Sequence, residues 1–220
     1  MPKMTPEEIA ERDQRLAEEA LAQQRYDREQ QRQALGRLRG VRYAGCSLSN
    51  FEATTDAQQA VLGRLTDYRD NLRENVKAGV GVVWFGAAGG GKDHLMMALA
   101  NAAIVREGLS VGWHNVMDWF GEVRDSFDGD RKEAKLIGDL SSPDVLMLSD
   151  PLPPFGKLTD FQANMLFRVV DKRYSMRRPT WVTVNTKGRA EAIDRMGAQI
   201  VDRLSHDAVV CFCDWPSYRQ

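Results

Sequence analysis

GVVWFGAAGGGKDHLMMALANAAIV, residues 81–105, is the stretch on which the fold turns. Val82 to Phe85 form a short apolar run of strand type, a glycine-rich turn follows, and HLMMALANAAIV continues as an amphipathic helix. Between strand and helix, GAAGGGKD (86–93) matches G-x-x-x-x-G-K-[ST] at every defined position except the last. The backbone of Gly86, Ala87, Ala88, Gly89, Gly90 and Gly91 offers N–H groups that can converge on phosphate oxygens, backed by the positive end of the following helix. Lys92 supplies the counter-charge for the β and γ phosphates, and His94 stands just beyond it. A mere surface turn needs neither the strand before nor the helix after, so the context points to a bound nucleotide. The eighth position departs from the pattern, because Asp93 stands where a hydroxyl ordinarily holds Mg2+.

Working outward, strand and helix alternate: LSVGWHN, helices over 116–127 and 130–141, VLMLSD, a helix over 160–176, TWVTVN, helices to Leu204, then AVVCFC. A further helix from Thr55 to Lys77 precedes the loop. Such alternation predicts an α/β domain with a parallel sheet covered by helices. VLMLSD ends in Asp150 at the sheet edge where ligands sit in open α/β folds. There, Ser149 and Asp150 occupy the places of two acids, so one carboxylate remains. Mg2+ is usually held by one or two carboxylates, so Asp93 can restore the charge missing at Ser149, giving Asp93, Ser149 and Asp150 as the candidate metal residues. Asn185, closing TWVTVN, projects an amide toward the γ phosphate from a neighbouring strand, although a strand-end asparagine is more often a turn residue.

Thirty basic residues against 31 acidic ones give a net charge of −1, so any nucleic-acid contact must come from a local patch. Arg173, Arg177 and Arg178 are candidates for a basic face toward single-stranded DNA. No stretch has signal-peptide or membrane-span character, which predicts a cytoplasmic protein without a membrane partner. Cys46, Cys211 and Cys213 cannot all pair, and Cys-x-Cys places two thiols on one strand face, which predicts buried free thiols. Residues 5–38 read as one charged helix opening with Thr5-Pro6-Glu7-Glu8, its apolar stripe too thin for a core. Six acids against three bases in 1–24 give way to six arginines against two acids in 25–42. This N-terminal segment (1–40) is either a solvated arm or a partner-binding helix, dispensable for nucleotide binding in both cases. Residues 41–220 form the nucleotide-binding domain.

Taken together, GAAGGGKDHL, SFDG, DVLMLSDP, RYSMRRPTWVTVN, IVDRLS and DWPSYR resemble the DnaC/IstB family of AAA+ ATPases, DnaC-type replicative helicase loaders most closely. The resemblance spans about residues 42–220. It implies an AAA+ (RecA-like) P-loop core with a five-stranded parallel sheet, and ATP with Mg2+ as cofactors. It further implies assembly into a spiral or ring-like oligomer with a replicative helicase on single-stranded DNA. By the same resemblance Arg203 looks like the arginine finger that completes a neighbour's site, and Asn185 like sensor 1. Asn50 and Phe51 look like the segment lying against the adenine, and Arg219 falls near a basic residue of the family. In such loaders the region ahead of the ATPase domain contacts the helicase, and here it is little more than the helix of residues 5–38. With one acid at Ser149-Asp150, hydrolysis is expected to be slow or dependent on assembly. An IstB-type transposition helper shares nearly all of these motifs. A non-hydrolysing regulatory or scaffold protein is the third reading, supported by Ser149.

Overall fold

The computed structural model describes residues 5–125 and 130–219. SFDG (126–129), and with it the last two residues of the helix expected over 116–127, lies outside them. The chain opens with α1 (Pro6–Arg39), started by a reciprocal capping box between Thr5 and Glu8 with Pro6 in the first turn. Residues 5–27 are exposed throughout, whereas the last turns pack on the body through Leu35 and Gly36. The predicted second helix is two, α2 (Asp56–Asp70) and α3 (Leu72–Ala78). The break falls at Asn71, whose backbone leaves the helical region (φ −112°, ψ 33°) and whose amide donates to the Asp67 carbonyl at 3.0 Å.

From there the expected alternation appears: β1 (Val82–Phe85), α4 (Lys92–Ala102), β2 (Val111–Asn115), α5 (Val116–Asp125), α6 (Asp130–Ser141) and β3 (Val145–Ser149). It continues through α7 (Asp160–Ser175), β4 (Thr180–Val184), α8 (Arg189–Met196), α9 (Ala198–Ser205) and β5 (Val209–Phe212). The sheet is five-stranded and wholly parallel, in the order β2-β3-β4-β1-β5. Every residue of β1, β3 and β4 is buried, because helices cover both faces. Alternate side chains divide the core. Trp84, Met147, Trp181 and Cys211 face the layer of α2, α3, α4 and the end of α1. Val83, Phe85, Leu148 and Val182 face α5 to α9. All three thiols are free and buried, as expected.

Arg173 is a correction to the DNA-face reading. It is wholly buried on α7, where its guanidinium donates to the carbonyls of Pro143 at 2.9 Å and Pro179 at 2.7 Å and to Thr180 Oγ1 at 3.3 Å. It fastens the starts of β3 and β4 to α7 and cannot reach a phosphate. Arg178 likewise donates to the carbonyls of Ser141 and Ser142, while Arg177 stays exposed.

Candidate functional site

Because β1, β4 and β3 are adjacent and parallel, the loop after β1, Asn185 after β4 and Asp150 after β3 emerge at one sheet edge. They border a cleft of about 460 Å3 that is also lined by Ala88, Gly89, Gly91, Lys92, Asp93, His94, Asn50 and Phe51. The loop curls because Gly89 and Gly91 take left-handed backbone (φ 88° and 79°), and α4 begins at Lys92. A Cβ at Gly86 would lie 2.3 Å from the Cys213 carbonyl oxygen, so no larger residue fits there.

Lys92 is 5% exposed and its Nζ donates to the carbonyls of Gly86 at 2.8 Å and Ala87 at 2.6 Å. Burial lowers its pKa, opposed by Cys213, Asp93 and Asp150 nearby. Asn185 Nδ2 donates to Asp150 Oδ1 at 2.7 Å, joining two residues chosen from separate strands. Burial, followed by the charge of Asp93, raises the Asp150 pKa above the ordinary carboxylate value. Asp93 accepts from Thr183 Oγ1 at 3.2 Å and forms an ion pair with Arg39 at the end of α1.

Ser149 stands apart from its proposed partners. It is fully buried, its hydroxyl accepts from Trp113 Nε1 at 3.1 Å, and it does not line the cleft. The carboxylates that do line it, Asp93, Asp150 and Glu52, are oxygen donors of the kind a hard divalent cation takes. Arg203 lies elsewhere. Its Nε donates to Asp171 Oδ1 at 2.5 Å, its guanidinium sits 4.7 Å from the Phe167 ring centre, and it borders a hollow with Gly81 and Thr180 at the starts of β1 and β4. The amide of Asn50 is engaged locally, accepting from Ser47 N at 2.9 Å and donating to the Gly45 carbonyl at 2.9 Å. Phe51 is 7% exposed, packed edge-on against His94 and Tyr218.

Sequence reasoning missed three contributors. Arg39 carries no motif around it. Thr183 lies in an apolar strand like any other threonine. The tail after β5 crosses the phosphate loop, with Trp215 Nε1 donating to the Gly90 carbonyl at 3.0 Å and Tyr218 N to that of Gly89 at 3.0 Å. The motif DWPSYR was the only visible trace of that strap.

Sheet, loop and converging polar groups define a P-loop domain of the AAA+ class. The chain belongs to the family of IstB-like ATP-binding proteins, whose sequence profile matches residues 6–220. The replicative helicase loader DnaC of Escherichia coli is 28% identical over 187 residues, covering 82% of this chain and 72% of the relative. An insertion-sequence ATP-binding protein of Sinorhizobium fredii is 30% identical over 151 residues, covering 64% of this chain and 47% of the relative. Among solved structures, the DnaC helicase loader matches with a TM-score of 0.69 at 21% identity, over 79% of this chain and 99% of that one. DnaI matches with a TM-score of 0.65 at 21% identity, over 80% and 91%. The chain is thus homologous to helicase loaders and to IstB-like proteins, and the solved structures share its fold.

Proposed function

We propose that the chain is an ATP-dependent helicase loader acting in DNA replication, which binds ATP with Mg2+ in the cleft and assembles with a replicative helicase on single-stranded DNA. One observation carries the nucleotide half: the adjacent Lys92 and Asp93 border a single cleft beside the glycine loop together with Asp150 and Asn185, which are distant from them in sequence. In that reading the loop amides and Lys92 hold the polyphosphate, and Asp93 with Asp150 supplies oxygen ligands to the cation. Mg2+, when bound, neutralises charge developing on the transferred phosphoryl group. Asn185 fixes the Asp150 carboxylate, through which a water can be oriented. Arg203 is apart from the cleft of its own chain, which suits a finger offered to a neighbouring copy in a spiral or ring. With a single acid at the end of β3, turnover is slow until such an assembly forms.

The loader reading is favoured over transposition because the similarity to DnaC runs over 72% of that relative, against 47% of the insertion-sequence protein. The test is size-exclusion chromatography of the chain with purified replicative helicase, ATP and single-stranded DNA. A joint peak is expected. Binding to a transposase instead of the helicase would move the reading to an IstB-type helper. ATP binding with neither partner captured would favour a regulatory or scaffold protein.

A further inference from the structure

Arg39 is the last residue of α1, yet its guanidinium pairs with Asp93, which lines the nucleotide cleft. It is held between two rings, 4.3 Å from the centre of Tyr43 and 5.0 Å from that of Trp113. The side chains of the pair are 13% and 22% exposed, so solvent screens the contact far less than a surface pair. The Arg39 Nε is buried with no hydrogen-bond partner among the described residues.

The charges explain why such a residue is needed. A hydroxyl at the position after the P-loop lysine is neutral, whereas Asp93 brings a full negative charge next to the place of the phosphates. Asp150 and Glu52 add two more in the same cleft, against Lys92, Arg42 and Arg219. The side-chain charges of the lining balance without Arg39, which leaves the loop amides and the positive end of α4 to attract a polyphosphate. Arg39 tips the balance to positive and cancels the carboxylate closest to the loop.

We propose that Arg39 is a positioning residue of the nucleotide site, contributed by the N-terminal helix and acting through Asp93, so that polyphosphate affinity depends on how the end of α1 is seated. The inference rests on the reading of the cleft as an ATP site. By linkage, bound ATP must hold the end of α1 on the body as firmly as that end supports ATP. The tie narrows the sequence expectation for residues 5–38, since shortening α1 up to Arg39 removes the turns that aim it.

The test is titration of a fluorescent ATP analogue with Mg2+ against wild type, Arg39→Met, Arg39→Lys, Asp93→Asn and the double variant Arg39→Met/Asp93→Asn. Methionine keeps apolar packing between Tyr43 and Trp113, and Arg39→Gln serves the same comparison should that variant not fold. Loss of the positive charge weakens affinity by about tenfold or more, the scale of one charge-assisted contact. Lysine restores most of the affinity, and within the Asp93→Asn background Arg39→Met costs about twofold or less, because the carboxylate it compensates is already gone and the loss of that cation ligand is common to both proteins. Limited proteolysis provides a second readout: ATP slows cleavage within residues 28–39 in wild type and not in Arg39→Met. Equal affinity in wild type and Arg39→Met, or a loss from Arg39→Met just as large in the Asp93→Asn background, overturns the proposal while leaving the ATP site standing. A wild type that binds no ATP removes both.

Discussion

At the residue scale, the candidate positions that the structure brings to one cleft are those placed by the end of a strand. Lys92, Asp150 and Asn185 each close or follow an apolar run, and parallel neighbours bring such ends to one edge. Ser149 was misread because strand alternation turns it into the sheet, toward Trp113, while the next residue reaches the cleft. Arg39 was illegible for another reason: nothing local distinguishes it from the other arginines of that segment, and its partner Asp93 lies across the fold. Arg173 makes the same point in reverse, for a cationic run reads as surface until its carbonyl partners are seen. Arg173→Met should therefore lower stability by about 3 kcal/mol, because several buried carbonyls lose a charged donor at once. Urea denaturation measures it. A change below about 0.5 kcal/mol would mark Arg173 as a surface-like residue.

At the element scale, helices and strands were recovered where period and length agree, as in α4, α7 and β4. The break at Asn71 was not, because asparagine is tolerated inside a helix pattern and only its side-chain bond to the Asp67 carbonyl reveals the stop. The β5 segment gives a chemical consequence. Burial pushes the thiols of Cys211 and Cys213 from an ordinary 9.0 up to about 12. Between those values the folded chain holds protons that the unfolded chain has released, so this contribution to stability is intact below pH 9.0 and is lost as pH rises toward about 12. At pH 8 a disulfide reagent should react with these thiols at least about a hundredfold slower in the native protein than in denaturant. Native reaction at the denatured rate would show that the end of β5 is open.

At the scale of the whole molecule, α/β alternation announced a parallel sheet and the resemblance to a known family its five strands, but strand order leaves no local mark and is seen only in the structure. The extent of the arm was visible, whereas its division was not. Residues 5–27 are exposed, while Arg28 Nη1 donates to the Val105 carbonyl at 3.3 Å and Arg32 Nη1 to that of Ala44 at 3.0 Å, tying down the remainder. Removing residues 1–27 should shift the thermal midpoint by no more than about 2 °C, since residues 5–27 are exposed. The same truncation should abolish helicase capture, because a thinly apolar helix gains order by docking on a partner. Undiminished pull-down of the helicase would reduce the arm to a solubilising extension.

The proposed function depends on the loop after β1 holding ATP. The direct measurement is a titration of wild type and Lys92→Ala with a fluorescent ATP analogue in Mg2+, each variant first shown to unfold cooperatively. The wild type should saturate, and Lys92→Ala should lose affinity by about a hundredfold or more, because the loop amides alone would face the polyphosphate. Equal affinity in the two proteins would contradict the assignment of this loop as the phosphate site.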